Sequence, residues 1–175
     1  EERQITLYED PWAQLQVAIQ QVIGSWDSNN ARQYRQIMGI SDYWGTAVIV
    51  QAMIFGNLSH YSGSGVFFTA HPYRKIRRVA LWGDFTPGNQ GEDIVGGLVS
   101  TYPISKEQRE TAGGDGDLSM EEDFPEIYKQ LFSISKTLVY DRKWNPQEIE
   151  FTYESPDASS LYILQTRDMV SAKRE

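Results

Sequence analysis

An α+β fold, a mostly antiparallel sheet with helices packed on it, follows from three features of this 175-residue sequence. The first stretch carries apolar residues at helical spacing, and the period then changes to that of strands. The chain also closes on two alternating segments separated by turn-forming residues, the pattern of a β-hairpin. The length suffices for one compact domain with a real core and leaves little room for two. Residues 1–175 are therefore expected to form a single domain.

In chain order, residues 11–23 read as a helix, with Asp10 placed as its N-cap and Pro11 in the first turn. Its apolar set is Trp12, Leu15, Val17, Ala18 and Val22, which leaves Gln14, Gln16, Gln20 and Gln21 mostly outside. A second helix over residues 29–38 ends at Gly39. Residues 45–55 are nearly all apolar and β-rich, as expected of a central strand covered on both faces. Residues 65–69 and 77–85 predict two further strands. The segments Gly56-Asn57-Leu58-Ser59 and Ser62-Gly63-Ser64-Gly65 turn the chain or let backbone approach a ligand. Residues 111–120 form a Gly/Asp-rich loop, expected to be the most mobile stretch. Residues 124–140 then predict a long amphipathic helix, with Ile127, Leu131, Ile134 and Leu138 inward.

Composition excludes several kinds of chemistry. With no cysteine there is no disulfide, thiolate nucleophile or Cys-based zinc site. A formal charge of −8 disfavours nucleic acid as a partner, because a phosphate backbone calls for a basic surface. It leaves room for a nucleotide, which a local cation and a divalent metal can hold. No apolar run is long enough to span a bilayer, and the first residues do not resemble a signal peptide, so a cytoplasmic setting is expected. A start at Glu1 instead of methionine suggests a processed or excised chain.

The final hairpin is the most informative segment. Ile149, Phe151 and Tyr153 alternate with Glu148, Glu150 and Thr152, and a second alternating run follows over residues 161–167. If Ile149, Phe151 and Tyr153 share the core face with Thr166, Leu164 and Tyr162, Glu150 lies opposite Gln165 and Glu148 opposite Arg167. One face is then apolar, and the other gathers two carboxylates, an amide and a guanidinium. Such a face suits a metal–phosphate site, since magnesium takes hard oxygen ligands and Arg167 can clamp a phosphate with its planar fork. It equally suits a solvated sheet surface with a Glu–Arg pair.

Four runs, in order, carry a family resemblance: Gly45-Thr46-Ala47-Val48-Ile49-Val50-Gln51-Ala52-Met53-Ile54-Phe55-Gly56-Asn57, Ser62-Gly63-Ser64-Gly65-Val66-Phe67-Phe68-Thr69, Gln90-Gly91-Glu92-Asp93-Ile94-Val95-Gly96-Gly97, and Ile149-Glu150-Phe151-Thr152 with Leu164-Gln165-Thr166-Arg167. Together they resemble the pyruvate phosphate dikinase and phosphoenolpyruvate synthase family. The resemblance implies an ATP-grasp nucleotide-binding domain, in which two α+β lobes close on Mg-ATP, with this chain as its C-terminal part. It implies Glu150 and Gln165 as metal-site residues and Arg167 as a catalytic phosphate ligand. Glu148 and Asp93 match further nucleotide-site positions, and Gln51 to Met53 would line the adenine slot mainly through backbone groups. Asp93 can alternatively serve as an acid at a helix N-terminus, and Gln51 and Met53 as ordinary strand packing.

The implied cofactors are Mg2+ and ATP. The implied partners are an N-terminal ATP-grasp lobe and a phosphohistidine domain elsewhere in the parent chain, with neither nucleic acid nor membrane. Phosphoryl transfer to that histidine would be the parent's activity, and the fragment alone would be inactive. A rifampicin phosphotransferase-type enzyme, a phosphoenolpyruvate synthase, or a non-catalytic nucleotide-binding module remain alternatives. The sequence departs from the family's wording at Ala70-His71, where Arg-Asn is common, and at Asp84, where the family has glutamate. The turn over residues 155–160 is also longer than usual. His60 and His71 match no phosphocarrier motif and are expected to be partly exposed structural histidines.

Overall fold

A computed structural model describes residues 9–74, 78–112 and 118–169. The chain divides into two compact units, residues 1–52 and 53–175. In the first unit, α1 (Pro11–Ser25) starts where the Asp10 carboxylate accepts from the backbone N–H groups of Trp12 and Ala13, with Pro11 at the first helical position. Helix α2 (Asn29–Met38) is capped by the Ser28 hydroxyl, which accepts from Ala31 N at 3.2 Å, and ends at Gly39 in the left-handed conformation. Arg35 is buried: its Nε donates to Asp42 at 2.8 Å, its Nη1 donates to the Trp26 carbonyl, and its guanidinium lies 4.1 Å from the Trp26 ring centre. Trp12, Ile23, Ile37 and Met38 remain exposed.

The strand expected over residues 45–55 is not formed; this stretch has no regular structure, and Ile49, Val50 and Met53 are exposed. β-rich composition does not make a strand unless a neighbour takes up its backbone N–H and C=O groups.

The second unit is built on a five-stranded antiparallel sheet of β1 (Gly63–Phe68), β2 (Trp82–Pro87), β3 (Tyr102–Pro103), β4 (Gln147–Tyr153) and β5 (Leu161–Asp168), in the order β3-β2-β1-β4-β5. Strand β2 begins later than expected. Val79, Ala80 and Leu81 are buried ahead of it, with Ala80 N donating to Thr69 O at 3.0 Å; Arg77 lies outside the described residues. Helices α3 (Gly91–Val95), α4 (Lys106–Ala112), α5 (Met120–Asp123) and α6 (Pro125–Lys136) fill the connections.

One sheet face carries the core. Phe67, Phe85, Ile149, Phe151 and Tyr153 pack with Met120, Phe124, Ile127 and Leu131 from α5, α6 and their junction, and the Phe124 ring lies 5.1 Å from Tyr153 and 5.8 Å from Phe85. Gly65 permits this: a Cβ there would stand 2.5 Å from the Phe151 ring. The buried positions of α6 are Ile127, Leu131 and Ser135, not Ile134, which is half-buried; the Ser135 hydroxyl donates to Leu131 O at 2.8 Å and so tolerates burial. The helix stops at Lys136 and gives way to a π-turn over Thr137–Asp141, which carries the partly buried Leu138. Of the expected mobile loop, residues 113–117 lie outside the described residues, whereas Thr111 is in α4 and Met120 is fully buried. Among the described residues, no helix is long and apolar enough to cross a membrane.

Candidate functional site

The hairpin register agrees with expectation from Gln147 to Glu150 and departs from it beyond. Glu148 faces Arg167 and Glu150 faces Gln165, but Phe151 then faces Ile163, so Leu164 is the extra residue of a β-bulge. The slip moves Leu161, not Tyr162, onto the core side, and Tyr162 is exposed. Paired residues of neighbouring strands share a face. The face opposite the core therefore shows three rows: Trp82, Phe68, Glu148 and Arg167; Asp84, Val66, Glu150 and Gln165; and Thr86, Ser64, Thr152 and Tyr162. In the third row, Ser64 and Thr152 are buried and hydrogen-bonded to each other at 3.0 Å. The charged groups are confined to the other two rows.

In the first row, Arg167 Nε donates to Glu148 Oε2 at 2.9 Å and Nη2 donates to Oε1 at 2.7 Å. This two-pronged contact sets the plane of the guanidinium. The Glu148 side chain is 17% exposed and that of Arg167 60%, so the acid forms a base on which the cation stands. In the second row, Glu150 is half-buried as a residue and its carboxylate, among the described residues, has neither a hydrogen-bond nor an ion-pair partner; neither has the Gln165 amide. Asp84 occupies the same row two strands away. Its carboxyl pKa is raised by partial desolvation even though the residue as a whole is exposed.

This donor chemistry fits a magnesium ion. Glu150 and Gln165 offer hard oxygens side by side, and neither is taken by a protein donor among the described residues, which leaves both available to a cation. Among the described residues no group of three His, Cys, Asp or Glu side chains completes a metal site. A site of this kind is finished by phosphate oxygens and water, as magnesium sites commonly are.

The other expected site residues lie apart from this cluster. The Asp93 carboxylate accepts from Gln90 N at 3.0 Å as part of a capping box at the start of α3. Gln51 is exposed in the first unit, and Met53 is exposed at the start of the second. The Ser62 hydroxyl lies 2.8 Å from Gly56 O and 2.7 Å from Ser59 O, to which it can donate, and it accepts from Ser59 N at 2.9 Å. Ser62 thus fastens the turn that leads into β1.

His71 is buried, contrary to expectation. Its Nδ1 accepts from Tyr73 N and Arg74 N, and its ring lies 4.1 Å from Trp82. Burial, reinforced by Arg74 and opposed by Glu107, lowers its pKa. The neutral ring closes a turn at the edge of the site. His60 is exposed beside Tyr61. In the sequence Asp84 stands out only as a departure from the family's wording. Its place on the site face emerges from the pairing of β2 with β1 and of β1 with β4. An open depression of about 550 Å³, which no sequence motif marks, lies where the start of β4 meets the end of β5 and is lined by Lys143, Trp144, Asn145, Gln147, Arg167 and Asp168.

An antiparallel sheet with helices on its core face and carboxylate, amide and guanidinium on its open face is an α+β architecture, as expected of an ATP-grasp lobe. Residues 4–116 match the family described as pyruvate phosphate dikinase, AMP/ATP-binding domain, and the chain belongs to that family. It is 43% identical over 168 residues to the pyruvate, phosphate dikinase of Rickettsia felis, covering 96% of this chain and 17% of that protein. It is 36% identical over 160 residues to the Clostridium symbiosum enzyme of the same name, covering 91% of this chain and 16% of that protein. Pyruvate, phosphate dikinase 2 of Zea mays is 36% identical over 158 residues, covering 90% and 16%. The chain thus spans about a sixth of the length of these curated relatives. The 168-residue alignment extends beyond the family match and reaches the hairpin.

Proposed function

We propose that this chain is the ATP-binding portion of a pyruvate phosphate dikinase-like phosphotransferase, in which a phosphoryl group passes from Mg-ATP to a histidine on another domain of the parent. One observation carries the reading: Glu150, half-buried and unpartnered among the described residues, stands beside Gln165 and next to the row that holds the Arg167–Glu148 fork. Glu150 and Gln165 would hold Mg2+, whose charge offsets that of the phosphate chain when bound. Arg167 contacts phosphate oxygens, and Glu148 orients it. The rigid hairpin does the positioning on which phosphoryl transfer largely depends.

Asp93, Gln51 and Met53 belong to the nucleotide site on this reading. Support for the last two is that their backbone groups are spent on no sheet ladder among the described residues. Residues 1–175 then form part of one ATP-grasp domain, with the other lobe and the acceptor histidine elsewhere in the parent, and the excised chain has no turnover.

The test is Glu150→Ala in the full-length parent. Its Mg-dependent ATP affinity is expected to fall by about tenfold or more, equivalent to about 1.4 kcal/mol. Wild-type Mg-ATP affinity in that variant, measured by titration calorimetry, would overturn the metal assignment.

A further inference from the structure

The π-turn over Thr137–Asp141 is closed by a left-handed residue just past its C-cap, Arg142. Arg142 N donates to Thr137 O at 2.9 Å and Trp144 N donates to Leu138 O at 3.0 Å, and between them Lys143 has φ 59°. It is the only non-glycine residue with positive φ among the described residues. Helix ends of this kind favour glycine, because a Cβ crowds the backbone in the left-handed region. A lysine here sacrifices stability, and its side chain is the one thing glycine could not supply.

Lys143 lines the same depression as Arg167, where the start of β4 meets the end of β5. Among the described residues no acid pairs with Lys143. The carboxylate that lines the depression is Asp168, and both its oxygens are engaged by amides: Gln147 Nε2 donates to Oδ1 at 2.7 Å and Asn145 Nδ2 to Oδ2 at 3.0 Å. These donors lower the Asp168 pKa and keep its charge directed at them. Arg167 is forked to Glu148 and Asp168 is held by two amides, which leaves Lys143 as the lining cation with no acid paired to it among the described residues, and about 550 Å³ of open space admits a phosphate group.

We propose that Lys143 is a second phosphate-binding cation of this lobe, which with Arg167 holds a phosphate group in the depression where β4 starts and β5 ends. The proposal rests on the reading of the hairpin as a phosphate site and extends it to that end of the hairpin. The ligand is a phosphate group, either inorganic phosphate or the tail of a nucleotide.

The test compares wild type, Lys143→Gly, Lys143→Arg and Glu150→Ala in the full-length parent, each titrated with inorganic phosphate alone and with Mg-ATP. Lys143→Gly is expected to weaken binding by about tenfold, the order of one charge-assisted contact. Lys143→Arg is expected to retain most of the affinity. The unfolding midpoint of Lys143→Gly should match or exceed wild type, because glycine suits the turn, so the loss cannot be ascribed to misfolding. Weakening toward Mg-ATP alone assigns the depression to the nucleotide, and weakening toward inorganic phosphate assigns it to the free ion. If Lys143→Gly binds both probes like wild type while Glu150→Ala loses Mg-ATP, this proposal is wrong and the metal reading stands. If neither variant changes, both fail together.

Discussion

The Tyr153 ring is packed against Phe124, while its hydroxyl is buried with no hydrogen-bond partner among the described residues. Burial raises the pKa of that hydroxyl, which therefore stays protonated. An unsatisfied buried hydroxyl costs about 1–3 kcal/mol, whereas the ring's apolar contacts are favourable with or without it. Tyr153→Phe is therefore expected to stabilise the fold by about 1 kcal/mol in urea unfolding; a loss of that size would show that the hydroxyl has a partner. The site residues differ in how far single positions could be read in advance. Glu150 and Gln165 were legible because strand alternation and one hairpin register suffice to pair them. Asp84 was not, because its place depends on two further strand pairings between segments far apart in sequence. The burial of His71 was equally hidden, since it comes from the Trp82 ring and a local turn.

Helices α4 and α5 are joined through two carboxylates, chiefly that of Glu122. Glu122 is engaged by Arg109, by the Ser119 hydroxyl donating at 3.0 Å, and by Lys106 Nζ at 3.2 Å, while Glu121 accepts from Lys106 N at 2.8 Å. The hydrogen bond from Arg109 leads in lowering the Glu122 pKa from 4.5 to about 2, followed by those from Ser119 and Lys106. A carboxylate whose pKa is lower in the folded than in the unfolded state contributes its full stabilisation above pH 4.5, and that contribution is lost as pH falls towards 2. Thermal melts between pH 6 and 2 should thus show a shallower acid decline for Glu122→Gln than for wild type, and parallel declines would refute the role. Periodicity and turn residues identified α1, α2, β1 and both hairpin strands. They missed the bulge at Leu164 and the buried Ser135, because each is settled by how the two faces of an element are covered.

The least legible feature belongs to the scale of the parent protein. Residues 45–55 have the composition of a buried strand, yet Ile49 is 84% and Val50 67% exposed, and their backbone has no ladder partner among the described residues. Burying each such side chain would contribute about 1.5–3 kcal/mol, so the exposed arrangement leaves a large stabilisation unused. The chain spans only 17% of its Rickettsia felis relative, and on the proposed reading the rest of the parent would supply a neighbouring strand. Periodicity reports what a segment favours once paired, whereas a structure of these residues alone shows it unpaired. On the proposed reading of the chain as part of a larger domain, the expected strand and its absence would be two views of one sheet. Hydrogen–deuterium exchange can separate them. In the 175-residue chain the amides of residues 46–54 should exchange at close to unstructured rates, and in the full-length parent the same amides should be strongly protected. Equally fast exchange in both would mean that the segment remains unpaired even in the parent, and that its apolar residues await some other cover.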